Sequence, residues 1–237
     1  MKLIKLTTIF AVIPAFFLFS CNSSNSTDNS NSSSSSTAAS EVIIHELSDA
    51  DMLNPYNYQG EGAGYIFPSI FQPLLGIDFK SLELVPVLAK SRPEIEKTPE
   101  GGMRITYHIR PEAKWDNGQA ITVKDIEFSL KVIKNPKVNN ERLKPYYEFI
   151  KDIKFYEGDP LKFTFICSNV YILAEAASGD FSIIPEAIYD PKGLMKDFSI
   201  PQLNTQKDVL MNDPKITEFA NDFNSERYQR EKEFING

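Results

Sequence analysis

Residues 107–130, YHIRPEAKWDNGQAITVKDIEFSL, place a strand, a tight turn and the start of a helix in one short span. Apolar and polar residues alternate over 103–110, which is the pattern of a half-buried strand. Asn117-Gly118 is a strong signal for a tight turn. Thr122, followed three residues later by Asp125, forms a variant of the capping box and predicts the start of a helix. The stretch therefore predicts a strand, a turn and a helix in direct succession.

The rest of the globular part, 41–237, mixes helical and strand patterns. The helix after Thr122 has an apolar stripe, and Asn135-Pro136 ends it. The stripe consists of Val123, Ile126, Leu130 and Ile133. Hydrophobic spacing and turn residues predict a strand at 42–46, a loop at 47–64, a helix over 66–75 that Pro73 should kink or end, a hairpin over 150–167, a helix at 169–178, a strand at 181–185 and a helix within 213–224. This mixture predicts an α/β or α+β fold with mixed sheets.

The residue types that carry catalysis or bind metals have structural interpretations here. His108 lies on the polar face of the predicted strand, and Cys167 shares an apolar strand face with two phenylalanines. Asp49 and Asp51 lie in a turn-rich loop, where a solvated pair is expected. Two distant histidines exclude most zinc sites, and no phosphate-binding loop or hydrolase motif is present. We therefore expect 107–130 to be scaffold, and the protein to have no catalytic residue, metal or cofactor.

The amino terminus reads as a secretory signal. Lys2 and Lys5 precede an apolar run of about 14 residues, whereas a membrane-spanning helix needs roughly 20. Leu18-Phe19-Ser20-Cys21 resembles a bacterial lipobox. The resemblance implies that residues 1–20 are a lipoprotein signal peptide and that Cys21 carries diacylglycerol, usually with a further acyl chain that makes membrane attachment stable. An ordinary signal peptide with a coincidental cysteine is the alternative.

Residues 21–40 are mostly Ser and Asn, and they lack the apolar periodicity of a packed core. We expect a flexible tether there. Removal of the signal peptide would change the net charge from −7 to about −9, so a nucleic acid is not an expected partner. With Cys21 lipidated, Cys167 is left without a partner, and no internal disulfide is expected.

Several segments occur in an order that is typical of one family. LELVPVLAKS at 82–91 comes before GGMRITYHIRPEAKWDNGQAITVKDIEFSLK, which is followed by PLKFTF and SIIPEAIY. These resemble the bacterial extracellular solute-binding proteins of family 5, the peptide- and oligopeptide-binding components of ABC importers. The family motifs fall on Pro86–Ala89, Tyr107–Arg110, Trp115–Gly118 and Thr122–Ser129. Val123 and Ile126 are mild departures from the usual residues.

The resemblance implies a mixed α and β fold of the periplasmic-binding-protein type, two-lobed and of class II. It assigns 41–71 and 167–237 to segments of the first lobe and 72–166 to an inserted subdomain. Family members are much longer than this chain. Their next motif, a G-x-G-P/A-Y strand, would begin near Gly237, so we expect the second lobe to be absent from this sequence, either because it is a fragment or because it is a truncated product.

The resemblance also implies a ligand and a partner. Family members hold an extended peptide between two lobes by strand-like backbone pairing, which tolerates many sequences. The contact from the first lobe falls on Gln59, Gly60, Glu61 and Gly62, where glycine lets another backbone approach. We therefore expect a monomeric, lipid-anchored protein of the periplasm or cell envelope that delivers peptides to an ABC permease. A nickel chelate, haem or sugar as ligand, and a surface hydrolase, are the alternatives.

Overall fold

Strands and short helices alternate along the chain in this computed structural model, which describes residues 45–225. Within that range the strands are β1 (Leu75–Ile77), β2 (Leu84–Pro86), β3 (Glu94–Lys97), β4 (Met103–His108), β5 (Ile150–Tyr156) and β6 (Asp159–Cys167). The α-helices are α1 (Glu61–Ile66), α2 (Val123–Lys134), α3 (Ala174–Gly179), α4 (Glu186–Tyr189), α5 (Ile200–Thr205), α6 (Lys207–Leu210) and α7 (Pro214–Phe223). The predicted signal peptide, tether and lipidated Cys21 lie outside the described residues.

Three-residue to four-residue 3₁₀ turns complete the secondary structure at Phe67–Ser69, Lys144–Tyr147 and Leu194–Asp197. Between residues 45 and 225, every helix is too short or too polar to cross a bilayer.

The main sheet is antiparallel and has the strand order β3-β4-β6-β5. Ile105 of β4 pairs with Phe165 of β6, and Tyr107 pairs with Phe163. These side chains are all buried, while Arg104, next to Ile105 on the opposite face of β4, is exposed and Thr106 is half-buried. The alternating pattern predicted for this strand is therefore confirmed. The Tyr107 and Phe163 rings stack with their centroids 5.5 Å apart, so the apolar face of the sheet is also an aromatic cluster.

The connection from β4 to α2 has the predicted turn and cap. Gly118 adopts φ +84°, a conformation that glycine reaches without steric cost. Its backbone N–H donates to the Trp115 carbonyl over 2.8 Å and closes the turn. Thr122 then caps α2: its hydroxyl accepts from the Lys124 amide, and Asp125 accepts from the Thr122 amide at 2.8 Å. The capping box satisfies amides that a helix start leaves unpaired.

Helix α2 buries the predicted stripe against the sheet and the helices that follow. Val123, Ile126, Leu130 and Ile133 are all buried. At its carboxyl end Lys134 is also buried, and its ammonium donates to the Tyr147 carbonyl and to Asn204 Oδ1, each over 2.9 Å. Burial lowers the pKa of Lys134 to about 7. These bonds connect α2 to the Lys144–Tyr147 turn and to α5.

The hairpin predicted over 150–167 is confirmed as β5 and β6, with Gly158 at φ +78° in the turn. The helix predicted within 213–224 is confirmed as α7, which Asp213 caps through the amides of Lys215 and Ile216. Cys167 is buried at the end of β6, and burial raises the pKa of its thiol to about 12. The buried apolar side chains of these elements form one continuous core.

The helix predicted over 66–75 is wrong beyond its start. Helix α1 ends at Ile66, a 3₁₀ turn covers Phe67–Ser69, and Leu75 begins β1 opposite Pro86. Pro73 was expected to break the helix, because it lacks the N–H of a helical bond and disfavours helical backbone at the residue before it, but the helix already ends before that point. The apolar spacing instead buries Phe71, Leu74 and Leu75 from an extended segment.

Two more predictions need correction. The helix predicted at 169–178 is present only from Ala174 onward. The strand predicted at 181–185 is not a strand: the Ile183 amide donates to the Gln72 carbonyl and the Ile184 amide to the Ser129 hydroxyl, so no ladder forms. The segment is extended and buried, which gives it a strand-like sequence pattern. For the strand predicted at 42–46, residues 42–44 lie outside the described range and 45–46 are exposed coil.

Candidate functional site

The segment predicted to contact ligand, Gln59–Gly62, forms the entry into α1. The loop predicted over 47–64 ends earlier than expected, because Gly60 is the N-cap residue and Glu61 begins the helix. Gln59 and Glu61 are exposed, Gly60 is half-buried and Gly62 is buried. The exposed part of the segment is therefore a short stretch of backbone with two polar side chains, and the assignment of these residues to ligand binding stays a prediction.

Asp51, an exposed residue of the preceding loop, binds the backbone of this segment. Its Oδ2 accepts the Gln59 amide over 2.7 Å. Burial raises the pKa of Asp51, but the backbone N–H groups of Gln59 and Gly60 outweigh that effect and hold the pKa below its usual value. The Gln59 carbonyl oxygen accepts no hydrogen bond within residues 45–225. A ligand that pairs with the backbone of Gln59 would therefore have to donate to it.

Gly62 meets the backbone of the preceding loop. A Cβ added there would lie 2.6 Å from the Ser48 carbonyl oxygen and 3.0 Å from that of Asp49. Real Cβ atoms do not approach this closely, so residue 62 has to be glycine for the 45–50 loop to pack. The close approach that the resemblance assigned to a ligand backbone is made at Gly62 by the chain itself.

Residues 54–57 fasten this segment to distant parts of the chain. Asn54 Nδ2 donates to the Phe223 carbonyl over 3.0 Å, and Asn57 Nδ2 donates to Asn224 Oδ1 over 3.0 Å. The Tyr56 hydroxyl donates to the Ser182 carbonyl at 2.5 Å. All three anchoring side chains are buried. The candidate segment is thus held between the carboxyl end of α7 and the extended segment at 181–185.

Tyr58 directly precedes the candidate segment in sequence, and a cation from a remote segment packs against its ring. The Arg142 guanidinium is 4.5 Å from the centroid of the Tyr58 ring, within the range of a cation–π contact. Tyr58 packs edge-on against Phe67, with centroids 4.9 Å apart. Tyr65, one helical turn beyond Glu61, exposes 61% of its surface. An extended ligand on this surface would meet backbone, aromatic rings and a positive charge.

Two adjoining clefts surround Trp115, with volumes of about 190 Å³ and 380 Å³. Ile70, Trp115 and Asp116 line both. The indole N–H donates to Asp125 Oδ1 over 3.3 Å, so the helix cap also orients the tryptophan. Burial raises the pKa of Asp125 despite this bond and those from Thr122. Sequence patterns did not predict these clefts, because their walls come from segments far apart in the chain.

His108 and Cys167, whose side chains could in principle take part in catalysis, lie at different positions of the main sheet. His108 is half-exposed on β4 and Cys167 is buried at the end of β6. Across residues 45–225 no three His, Cys, Asp or Glu side chains are arranged to hold a metal ion. Asp51 acts as an internal acceptor for backbone amides, as described above, while Asp49 remains an exposed loop residue.

Solved structures of solute-binding proteins share part of this fold. An oligopeptide-binding protein from Thermus thermophilus, solved with a pentapeptide, matches at a TM-score of 0.51 with 23% identity over 73% of this chain. AppA of Bacillus subtilis, solved with a nonapeptide, also matches at 0.51, with 19% identity over 67%. NikZ of Campylobacter jejuni, solved with Ni(L-His), matches at 0.42 with 24% identity, covering 50% of this chain and 22% of that one. The expected fold of the periplasmic-binding-protein type is confirmed.

The family itself is shown by sequence. The profile of the "Bacterial extracellular solute-binding proteins, family 5 Middle" matches residues 83–220, more than half of the chain. The protein therefore belongs to that family of solute-binding proteins. No curated protein sequence matches the chain. The chain spans 29% of the length of the Thermus and Bacillus proteins.

Proposed function

We propose that this chain takes part in capturing peptides outside the cytoplasmic membrane for delivery to an ABC permease. The supporting observation is the family match over 83–220. The Thermus and Bacillus proteins that share the fold were solved with peptides of different length. Backbone pairing is the mode of recognition that tolerates such variety, because it does not depend on the side chains of the ligand.

The Gln59 carbonyl is the group through which this chain would pair with a peptide backbone. It is an acceptor without a partner in 45–225, at the exposed entry to α1. The Gly60 amide, which shares a peptide plane with this carbonyl, donates to Asp51, as does the Gln59 amide, and these bonds restrict the orientation of the carbonyl. A peptide N–H would donate to Gln59, and the Tyr58 and Tyr65 rings would flank the ligand. Gly62 contributes by letting the 45–50 loop pack beneath the segment.

Nuclear magnetic resonance of the ¹⁵N-labelled chain tests this assignment. A small exposed surface provides few contacts, so we expect weak binding, with a dissociation constant above about 1 mM for a mixture of di- to pentapeptides. The amide resonances of Gln59, Gly60 and Glu61 should shift during the titration. The matched control is a pentapeptide whose backbone amides are N-methylated; it lacks the donors and should cause smaller shifts.

Other outcomes of that titration would change the proposal. Shifts confined to residues far from Gln59 would contradict the assignment of the segment. Saturable shifts with a nickel–histidine complex, haem or a sugar, together with none from peptides, would favour the alternative ligands.

We further propose that Cys21 is acylated and anchors the protein to the membrane. The support is Leu18-Phe19-Ser20-Cys21 after a basic and apolar leader, followed by a tether. After expression in a bacterium, the wild-type protein should partition into the detergent phase of a Triton X-114 separation. Cys21→Ala should remain in the aqueous phase. If both proteins partition alike, the anchor is not at Cys21.

A further inference from the structure

The smaller of the two clefts around Trp115 combines an apolar lining with negative charge. Its apolar part includes Phe71, which is buried, and Ile70 and Ile188, which expose 47% and 44% of their surfaces. Side chains of this size usually turn away from water, and here they border a concave space of about 190 Å³. A space of that size accommodates one amino-acid side chain rather than a folded partner.

Three carboxylates and no basic side chain line this cleft. Asp125 is engaged by Thr122 and by the indole N–H of Trp115. Glu186 lies 3.6 Å from the Lys196 ammonium, which is itself largely exposed. Asp116 is exposed and forms no ion pair or side-chain hydrogen bond within the part of the chain that the structure describes. The negative charge of the cleft is therefore compensated only in part by the protein.

Trp115 adds a surface that attracts cations. Its N–H is bonded to Asp125, and the 115–119 turn is closed by the Trp115 amide, which donates to the Gln119 carbonyl over 2.8 Å. The indole is thus fixed before any ligand arrives, which reduces the entropy cost of binding. The face of tryptophan is the most favourable aromatic surface for an ammonium or guanidinium group.

We propose that this cleft is a binding site for an organic cation on an apolar stem, the chemistry of an arginine or lysine side chain. The stem contacts Ile70 and Ile188, the cation lies near Trp115, and Asp116 supplies the unpaired negative charge. The adjoining cleft of about 380 Å³, which shares Ile70, Trp115 and Asp116, leaves room for the rest of the ligand. The proposal depends on the cleft alone and not on peptide pairing at Gln59.

The chain contains one tryptophan, so its fluorescence and its single indole N–H resonance both report on this cleft. We expect N-acetyl-arginine amide to change both signals in a saturable way, and N-acetyl-norleucine amide, which has an apolar stem but no charge, to do so more weakly. Adding salt toward about 1 M, where the screening length falls to about 3 Å, should weaken the arginine derivative selectively. A basic tetrapeptide that binds more tightly than the blocked amino acid would indicate that the cation arrives as part of a peptide.

Asp116→Asn removes the unpaired charge without deleting the side chain, and it should weaken binding of the arginine derivative about two- to fivefold. The matched control is Glu112→Gln, an exposed acid on the same connection that does not line the cleft; it should leave binding unchanged. Equal responses to the charged and neutral derivatives would overturn the proposal. Equal weakening by the two substitutions, or unchanged signals with every ligand, would overturn it as well.

Discussion

The β4–α2 connection and the entry into α1 both require a glycine, but for different reasons. Gly118 has a backbone conformation, φ +84°, that other residues adopt at a cost, and no atom lies within 4 Å of the place its Cβ would take. Gly62 lies in a helix, and its missing side chain leaves room for the Ser48 carbonyl 2.6 Å from that place. The first requirement arises within one turn. The second arises because another segment packs there, and a local pattern does not contain that information.

Among the substitutions considered, Gly62→Ala should reduce the free energy of unfolding most. The added methyl group would collide with backbone rather than with a flexible side chain, so the 45–50 loop has to move. We expect a loss of about 3 kcal/mol in the free energy of unfolding, at the upper end for overpacked sites. Urea denaturation followed by circular dichroism measures it.

Gly64→Ala is the matched control for that substitution. It is also in α1, and its added Cβ would make an ordinary contact of 3.8 Å with the Tyr58 ring. Alanine is the better helix former, so this variant should be as stable as the wild type or more stable by up to about 1 kcal/mol. Equal losses from both variants would show that helix α1, and not the close approach of Ser48, sets the requirement.

A second long-range contact explains why 181–185 is not a strand. The Ser129 hydroxyl of α2 accepts the buried Ile184 amide over 2.9 Å and donates to the Asp125 carbonyl over 2.8 Å. Ser129→Ala would leave that amide without a partner, which should cost about 2 kcal/mol in urea denaturation. Thr205→Ala is the control, because its exposed hydroxyl bonds only within its own helix, to Pro201. A loss below about 0.5 kcal/mol for Ser129→Ala would mean that the segment is held in place by packing alone.

These contrasts explain what the sequence could predict of the fold. β4, the Gly118 turn, the Thr122 cap and the β5–β6 hairpin each depend on neighbours in sequence, and each was predicted correctly. The helix over 66–75 and the strand at 181–185 were wrong. In both, the apolar spacing reflects burial against remote segments, while the backbone bonds are decided by Pro73 and by Ser129.

The candidate sites likewise depend on contacts between segments that are remote in sequence. Gln59–Gly62 could be proposed only by resemblance, because nothing in the spacing of those residues indicates that Asp51 occupies the Gln59 amide. The sequence of 107–130 did not indicate the Trp115 clefts. Each residue of that stretch had a local structural role, and the apolar partners Ile70 and Ile188 approach it only in the folded chain.

Substitutions of Gly118 test whether the turn requires glycine because of its backbone conformation. Gly118→Val forces a β-branched residue into positive φ and should destabilise the fold by more than about 1 kcal/mol. Gly118→Asn should destabilise the fold less than Gly118→Val, because asparagine tolerates this conformation better than other non-glycine residues. Thermal unfolding of the two variants side by side gives the difference. Equal losses would mean that the turn requires the absence of a side chain rather than a permissive backbone.

The smallest effect is expected from His108→Ala, at the end of β4. The side chain is half-exposed, its neighbour in register is Lys162 on β6, and its main contribution is the backbone carbonyl, which accepts the Lys90 amide at 2.7 Å. Alanine preserves that carbonyl, so the free energy of unfolding should change by less than about 0.5 kcal/mol. Peptide titrations should shift the Gln59 and Gly60 resonances as in the wild type, because nothing that His108 contributes reaches α1. A lost response with an intact fold would make His108 a ligand-contacting residue and would contradict the assignment of 107–130 as scaffold.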